Sequence, residues 1–240
     1  MKKFDLIVIG YGSGDGVAVG AAEAGYSVAV VEEGPLGGTC LNRGCIPSKM
    51  LIHVAEVVEE IKQSKKFHVH SKITKIDFSK IVKEVNTLVN SDSKAIEEGV
   101  RSTKNMTLYK EKGVFVGFKT LLVGKDTITA DKIVLAMGSR PFFPPIEGLR
   151  EAGFITSDEA LNLKKLPKSM AVLGGGYIGS ELAFFFSQMG CKVTIIDRNE
   201  FLLKNEDEEV SKEFTRAFSK KINFLNNTSV KKVSKRKGKK

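Results

Sequence analysis

Two of the three cysteines in this 240-residue chain, Cys40 and Cys45, stand five residues apart in a run of small and turn-forming residues, 37–49. In a continuous helix such residues are separated by about 7.5 Å along the axis and point in different directions. A disulfide tolerates a Cα separation of only about 6.8 Å. The cysteines can therefore pair only if the backbone bends between them, and Gly44 permits that bend. A thiol near a helix start is also more readily ionised. The run predicts a reversible dithiol and disulfide beside a group that exchanges electrons with it.

Other interpretations of the cysteines are weaker. Structural disulfides are typical of small secreted proteins, and this chain has three cysteines and the composition of a soluble domain. A metal site would need a second pair of ligands, and Cys191, His53, His68 and His70 offer none at ligand spacing. We expect His53 to be packed or on a helix surface, His68 and His70 to alternate on a short strand, and Cys191 to have no role.

The elements before the cysteine run predict a dinucleotide-binding unit. An apolar strand leads into a glycine-rich turn, a helix and a second apolar strand that ends in an acid. These parts are residues 6–9, then Gly10, Gly12 and Gly14, a helix ending at Glu23, residues 28–31, and Glu32. Glycines let the backbone approach a diphosphate at the helix start, and the acid accepts hydrogen bonds from ribose hydroxyls.

The first glycine turn departs from the usual spacing. The third glycine of a G-x-G-x-x-G fingerprint would fall at Asp15, and Gly16 stands one place later. A carboxylate there would repel a diphosphate, and a missing glycine would loosen the packing of strand on helix. We expect either a turn shifted by one residue or a weaker affinity for the dinucleotide.

A second unit of the same order follows, with every glycine of the fingerprint in place. Its parts are an apolar strand over 170–173, expected to be buried, then Gly174, Gly176 and Gly179, a helix over 180–189, a strand over 193–196, and Asp197. An acid at this position favours a free ribose 2′-hydroxyl and hence NAD over NADP. Arg198 is the counter-argument, since an arginine can accept a 2′-phosphate.

The remaining patterns place the connecting elements. Helices are predicted over 50–61 and 78–100, and a small antiparallel meander that covers the first sheet is predicted from the segments 106–109, 114–118, 120–123 and 127–129. Residues 133–141 are expected to form a buried strand. Pro141, Pro144 and Pro145 then make a stiff connection, which divides the chain into predicted domains 1–145 and 146–240.

Composition excludes several classes of partner. The net charge is +10, but residues 231–240 hold seven basic residues and no acid, so the preceding residues carry only +3. A terminal basic run is usually a solvated tail, and no nucleic-acid motif accompanies it. No apolar run approaches the roughly 18 residues of a membrane-spanning helix. We expect no nucleic-acid or membrane partner and a cytoplasmic location, where a paired dithiol is more often catalytic than structural.

The run 37–49 resembles the active-site signature of the class I pyridine nucleotide-disulfide oxidoreductases, which include dihydrolipoamide dehydrogenase, glutathione reductase and mercuric reductase. The resemblance extends from Phe4 to about Val233. It implies an α/β fold with two Rossmann-like, three-layer dinucleotide-binding domains. FAD would occupy the first site and NAD the second, with NADP less favoured.

The resemblance also implies roles for single residues. Cys45 would be the thiol that faces the flavin, and Cys40 would exchange with the substrate disulfide. Lys49 matches a lysine near the flavin, and Glu181 matches its carboxylate partner, so we expect a buried ion pair. Tyr177 would shield the flavin until the nicotinamide enters. The other positions expected to contact a cofactor are Gly10, Gly12, Gly14, Glu32, Gly38, Thr39, Gly113, Ala136, Gly138, Gly174, Gly176, Ile178, Gly179, Asp197 and Val230.

Three of these assignments have a qualification. For Tyr177 and Val230 ordinary packing is the alternative. In the stretch Ala136 to Gly138, Met137 replaces a threonine of the family pattern, which removes one hydroxyl contact with the flavin.

The predicted activity is electron transfer between NAD(H) and a disulfide or dithiol substrate such as lipoamide, through FAD and the cysteine pair. The resemblance implies a homodimer formed through a C-terminal interface domain that supplies a His–Glu couple, and we expect that domain to be missing from this sequence. Two alternatives stay open: a truncated, inactive nucleotide-binding fragment, and an NADPH enzyme like glutathione or mercuric reductase.

Overall fold

The computed structural model describes residues 1–235, and the end of the predicted solvated tail lies outside the described residues. The chain divides into two compact units. The N-terminal unit comprises residues 1–47 and 86–140, and the C-terminal unit comprises 48–85 and the chain from 141 onward. The break after residue 140 lies near the predicted boundary at 145. Residues 48–85, which the sequence placed with the first domain, group with the C-terminal unit.

A six-stranded sheet forms the centre of the N-terminal unit. Its strands are β1 (Lys2–Ile9), β2 (Val28–Val31), β3 (Met106–Tyr109), β4 (Gly113–Gly117), β5 (Thr120–Val123) and β6 (Asp126–Leu135). Their order is β3-β2-β1-β6-β5-β4. The strands β3, β2, β1 and β6 run parallel, whereas β5 and β4 are antiparallel. The predicted α/β class with a parallel-dominated sheet is confirmed.

The centre of this sheet is buried on both faces, which is why residues 6–9 of β1 and all of β2 are apolar. On one face Val8 and Val30 pack with Ala18 of helix α1 (Asp15–Glu23). On the other face Ile7 packs with Leu121 of the meander. The meander therefore continues the sheet through β6 and also covers it, as expected.

Two details of the predicted meander were wrong. Residues 106–109 are not part of it, because β3 pairs parallel with β2 at the opposite edge. Residues 127–129 are not a separate strand but the start of β6, which pairs with both β5 and β1. The predicted buried strand over 133–141 also ends early, at Leu135, whose side chain is 59% exposed.

The C-terminal unit is built around a three-stranded parallel sheet. The sheet has the order β7-β8-β9, from β7 (Ser169–Leu173), β8 (Lys192–Ile196) and β9 (Asn223–Leu225). The helices of the whole chain after α1 are α2 (Gly38–Arg43), α3 (Cys45–Gln63), α4 (Phe78–Ser102), α5 (Leu149–Ala152), α6 (Ser157–Ala160), α7 (Tyr177–Gln188) and α8 (Glu208–Phe218).

Aromatic packing explains why residues 48–85 group with the C-terminal unit. Phe78, at the start of α4, lies 5.9 Å from Phe185 and 6.0 Å from Phe186 between ring centroids. Phe185 and Phe186, both in α7, are fully buried. Glu59 of α3 also pairs with Lys221 at 2.6 Å. Large apolar rings stabilise such contacts strongly, so the first turn of α4 and most of α3 belong to this core.

Two further expectations for the C-terminal unit were wrong. β7 is not buried on both faces: it is an edge strand with alternating exposure, and Leu173 is 41% exposed. His68 and His70 do not lie on a strand. His68 follows a 3₁₀ turn, Ser64–Phe67, in the left-handed conformation with φ of 60°.

Candidate redox and dinucleotide sites

The predicted bend between the cysteines is present. Helix α2 ends at Arg43 and α3 begins at Cys45, with Gly44 between them. A Cβ on Gly44 would lie 2.8 Å from the Thr39 carbonyl oxygen and 3.2 Å from the Cys40 Cα. Only a residue without a side chain lets the chain fold back so closely. Both cysteines are held as exposed thiols.

The surroundings of Cys40 raise the pKa of its thiol. The pKa of the Cys40 thiol is raised above its ordinary value, chiefly because it is hydrogen-bonded to the Cys45 side chain. Burial adds to the increase, whereas the backbone amides of Cys45 and Ile46 oppose it. Cys45 is the first residue of the 19-residue helix α3. Its hydrogen bond to Cys40 favours the protonated form of the Cys40 thiol.

Helix α2, which carries Cys40, starts in direct contact with the first glycine turn. A Cβ on Gly38 would lie 2.5 Å from the Gly12 Cα, so neither residue can carry a side chain without separating the two segments. The Gly37 amide also donates to the Tyr11 carbonyl at 2.9 Å. Thr39, exposed in the first turn of α2, follows this contact. The segment that carries the cysteines and the first glycine turn are therefore packed directly against each other.

The first glycine turn is shifted by one residue, which was one of the two outcomes expected from Asp15. A Cβ on Gly14 would lie 2.5 Å from the Gly10 carbonyl oxygen and 2.7 Å from Val8 Cγ1. In the second turn a Cβ on Gly179 would meet the equivalent atoms, the Gly174 carbonyl and Val172 Cγ1. Gly14 therefore takes the packing role of the third glycine, and Asp15 opens the helix.

The acid at the end of β2 is already held in place by backbone amides. Glu32 Oε2 accepts from the Tyr11 amide at 3.0 Å, and Oε1 accepts from the Gly34 amide at 2.8 Å. Tyr11 stands between the first two glycines of the turn. The carboxylate thus sits against the turn, where a ribose acceptor is required.

The remaining predicted flavin positions lie at the ends of neighbouring strands. The Ala136 amide donates to the Ile9 carbonyl at 2.7 Å, and a Cβ on Gly10 would enter the Ala136 carbonyl. Gly138 has a φ of 71°, and Met137 between them is 63% exposed. Gly113 opens β4, and its Cα faces Val31.

The second turn repeats the arrangement of the first. Asp197, at the end of β8, accepts from the Gly175 amide through Oδ2 at 2.6 Å. Its Oδ1 accepts from the backbone amide of Asn199 at 2.8 Å and from the Asn199 side-chain amide at 2.6 Å. Gly176 caps α7, and Gly174 has a φ of 107°. Asn199 was not predicted; its position two residues after the acid was the available signal.

The predicted contact between Lys49 and Glu181 is present, but its surroundings differ from expectation. The Lys49 ammonium donates to a Glu181 carboxylate oxygen. The two side chains are 60% and 31% exposed, so the pair is not buried. The large loss of stability expected on removing one partner of a buried pair therefore does not apply here. An exposed ion pair contributes only about 0–1 kcal/mol to the free energy of unfolding.

The other predicted residues of the C-terminal unit lie at its surface. Tyr177 and Ile178 open α7 and are 69% and 48% exposed, so neither is an ordinary core residue. Val230 is half-buried in the segment after β9. Among the described residues no cluster of His, Cys, Asp or Glu could hold a metal ion, and no helix is long and apolar enough to cross a membrane.

The residues of both turns fit a dinucleotide. Each turn brings bare backbone to the start of a helix of at least nine residues, α1 or α7, and each has a carboxylate fixed at the end of the next strand. Backbone amides and the helix dipole suit a diphosphate, and the carboxylate suits a ribose. Asp15 is the one feature that opposes such a ligand.

Comparison with known proteins agrees with this geometry. The profile of the pyridine nucleotide-disulphide oxidoreductase family matches residues 4–240. The chain is 39% identical over 235 residues to dihydrolipoyl dehydrogenase of Chlamydia pneumoniae, covering 95% of this chain and 50% of that protein. It is 34% identical over 232 residues to mercuric reductase of Bacillus cereus, covering 96% and 37%. The structure of the HOCl-induced flavoprotein disulfide reductase RclA from Escherichia coli, a Cu(II) complex, matches with a TM-score of 0.84 at 30% identity, covering 97% of this chain and 51% of RclA.

The chain belongs to the pyridine nucleotide-disulfide oxidoreductase family. The members are flavin-dependent oxidoreductases that use a pyridine nucleotide, and the resemblance carried by residues 37–49 is confirmed. The chain spans half the length, or less, of the curated relatives it matches.

Proposed function

We propose that this chain transfers electrons between NAD(H) and a disulfide substrate through FAD and the Cys40–Cys45 pair, as a dihydrolipoyl dehydrogenase does. The contact between Gly12 and Gly38 is the observation that supports this proposal most directly. It places the start of α2, the helix that contains Cys40, against the first glycine turn. A dithiol with a purely structural role would not need this attachment.

Two sets of residues would hold the cofactors. FAD would contact Gly10, Gly12, Gly14, Glu32, Gly38, Thr39, Gly113, Ala136 and Gly138, and NAD(H) would contact Gly174, Gly176, Tyr177, Ile178, Gly179, Asp197 and Val230. When bound, the flavin supplies the capacity to accept a hydride from the nicotinamide and to pass two electrons to a disulfide.

The cysteines perform the thiol chemistry. Two electrons delivered to the disulfide break its S–S bond, and uptake of a proton leaves a thiol on Cys40 and a thiolate on Cys45. After Cys40 loses its proton, its sulfur attacks one sulfur of the substrate disulfide, and the substrate S–S bond breaks. Cys40 is then joined to one half of the substrate in a mixed disulfide, and the other half leaves as a thiolate that takes up a proton. Cys45 then attacks the Cys40 sulfur, which releases the second half of the substrate as a thiol and restores the internal disulfide. The raised pKa of Cys40 means that this attack needs a base.

Lys49, Glu181 and Tyr177 keep the roles that the resemblance implies. Glu181 orients the Lys49 ammonium, and the exposure of Tyr177 leaves its ring able to move when a nicotinamide enters. We infer that lipoamide is the model substrate, that the protein acts in the cytoplasm, and that NAD is preferred over NADP. The homodimer of the family is part of this proposal.

Absorbance spectroscopy of the purified chain after incubation with FAD tests the proposal. We expect a bound flavin spectrum that NADH bleaches under anaerobic conditions. Thiol titration of the unfolded protein should give three thiols after reduction, and one, from Cys191, after oxidation. The Cys45→Ala variant should bind FAD as tightly as the wild type, but its number of titratable thiols should not fall by two on oxidation. A wild-type chain that stays colourless after incubation with FAD would refute the proposal.

A second function is nucleotide binding without electron transfer, by an inactive fragment. Met137 supports it because this residue lacks the hydroxyl of the family pattern, and Asp15 would weaken the binding because it places a carboxylate at the start of α1. The same experiment separates the two functions, because a binding protein would retain FAD yet show no bleaching by NADH. An NADPH enzyme is the third possibility, and replacing NADH by NADPH in the titration tests it.

A further inference from the structure

The carboxylate of Asp197 is held by more donors than its counterpart in the first site. Within residues 1–235, the hydrogen bonds that Glu32 accepts come from two backbone amides, those of Tyr11 and Gly34. Asp197 receives the backbone amides of Gly175 and Asn199 and, in addition, the Asn199 side-chain amide at 2.6 Å. A side chain dedicated to one carboxylate oxygen is thus found only at the second of these two turns.

Asn199 is itself fixed by the segment after β9. Its carbonyl accepts from the Asn227 amide at 3.1 Å, and the Asp197 carbonyl accepts from the Thr228 amide at 2.9 Å. Asn199 is half-buried, whereas the intervening Arg198 is exposed. The residues 197–199 are therefore anchored at both ends, and the Asn199 amide reaches the Asp197 carboxylate from a rigid base.

We propose that Asn199 is a positioning residue that makes the second site select NAD(H) over NADP(H); this inference rests on the proposed function. A carboxylate held against the turn presents its remaining lone pairs to a ribose 2′-hydroxyl. The same fixed negative charge repels a 2′-phosphate and cannot rotate away from it. Arg198, although able to bind a phosphate, lies beside a carboxylate that Asn199 keeps in place.

Calorimetric titration of the full chain with NADH and with NADPH tests this inference. The variants are Asn199→Ala, Asp197→Ala, the double variant of both, and Asn162→Ala as the matched control. Asn162 also lies in the C-terminal unit and also uses its side-chain amide, donating to the Asp158 carbonyl at 2.8 Å. Thermal melting of each variant shows whether it is folded.

We expect the wild type to bind NADH more tightly than NADPH. Asn199→Ala keeps the backbone bond to Asp197, so it should reduce the preference for NADH about tenfold, as loss of one hydrogen bond to a charged group does. Its effect should disappear in the Asp197→Ala background, because the side chain acts only through that carboxylate. Asn162→Ala should leave the preference unchanged.

Four results would overturn the inference. A folded Asn199→Ala variant with the wild-type NADH to NADPH ratio would show that the side chain has no part in selection. An equal effect of Asn199→Ala in the Asp197→Ala background would show that it acts by another route. A wild type that prefers NADPH would reverse the assignment. Binding of neither nucleotide by the wild type would refute the proposed function itself and, with it, this inference.

Discussion

Asp15 illustrates at the scale of one residue how a departure from a motif is absorbed. Its carboxylate accepts from the Gly16 amide at 2.6 Å and stabilises the start of α1. Because Gly14 supplies the close packing instead, the turn keeps its shape. What the substitution changes is charge: a carboxylate now stands at the helix end where a diphosphate would bind.

Neutralising Asp15 should strengthen binding of FAD. In Asp15→Asn the side-chain oxygen can still accept from the Gly16 amide, while the repulsion of a diphosphate disappears. We expect affinity for FAD to rise about five- to tenfold, in line with about 1 kcal/mol per pair of charges near 4 Å in water. Quenching of flavin fluorescence measures it. Glu23→Gln, which removes the same charge at the other end of α1, is the control and should have little effect.

Cys40 should become more reactive when its partner is removed. The hydrogen bond to Cys45 is the largest cause of its raised pKa. In Cys45→Ala the pKa should therefore fall, and the pH midpoint of Cys40 alkylation should shift downward, with a several-fold faster reaction near neutral pH. Alkylation followed by peptide mass spectrometry gives this profile. Cys191→Ser, which removes a buried thiol, should leave it unchanged; an unshifted midpoint in Cys45→Ala would contradict the assigned cause.

At the scale of elements, the junction of α2 and α3 creates the redox pair. The two helices place Cys40 and Cys45 together only because the chain folds back at Gly44. A longer side chain at that point would press on the Thr39 carbonyl. The helix break, more than any property of the cysteines, makes a disulfide possible.

Gly44→Ala should impair closure of the disulfide. The added Cβ would lie 2.8 Å from the Thr39 oxygen, so the junction must open. We expect slower formation of the Cys40–Cys45 disulfide in a redox buffer and a loss of about 1–3 kcal/mol in stability. Gly20→Ala is the matched control, because its Cβ meets nothing within 4 Å in helix α1. It should be stabilised by about 0.5–1 kcal/mol. Equal disulfide rates in both variants would refute this account.

The pair between α3 and α7 should contribute little to stability. Because Lys49 is 60% exposed, Glu181→Gln should change the free energy of unfolding by at most about 1 kcal/mol. Urea denaturation of the chain measures this. A loss of about 3–5 kcal/mol, typical of a broken buried pair, would show that the pair is shielded from water in solution.

At the scale of the whole molecule, both units use the same construction. In each, a strand, a glycine turn and a helix are followed by a strand ending in an acid, and that acid binds the amide after the first glycine. The units differ in what surrounds this construction. The first sheet is extended by a meander and buried on both faces, whereas β7 of the second is a partly exposed edge strand.

The amino-acid sequence by itself determined the α/β class, the two glycine turns and the bend between Cys40 and Cys45. These depend on local patterns: apolar runs such as 28–31, glycines at fixed spacing, and two cysteines around Gly44. Their geometry follows from backbone sterics and hydrogen bonding over a few consecutive residues, so the residue types in the sequence are enough to predict it.

Only the tertiary structure decided the rest. The packing role of Gly14, the exposure of Lys49 and Leu135, and the contact of Asn199 with Asp197 depend on which distant backbone or side chain lies within a few ångströms. Grouping of residues 48–85 with the C-terminal unit follows likewise from the packing of Phe78 on Phe185. Burial and contact are sums over neighbours far apart in the chain, so no local pattern contains them.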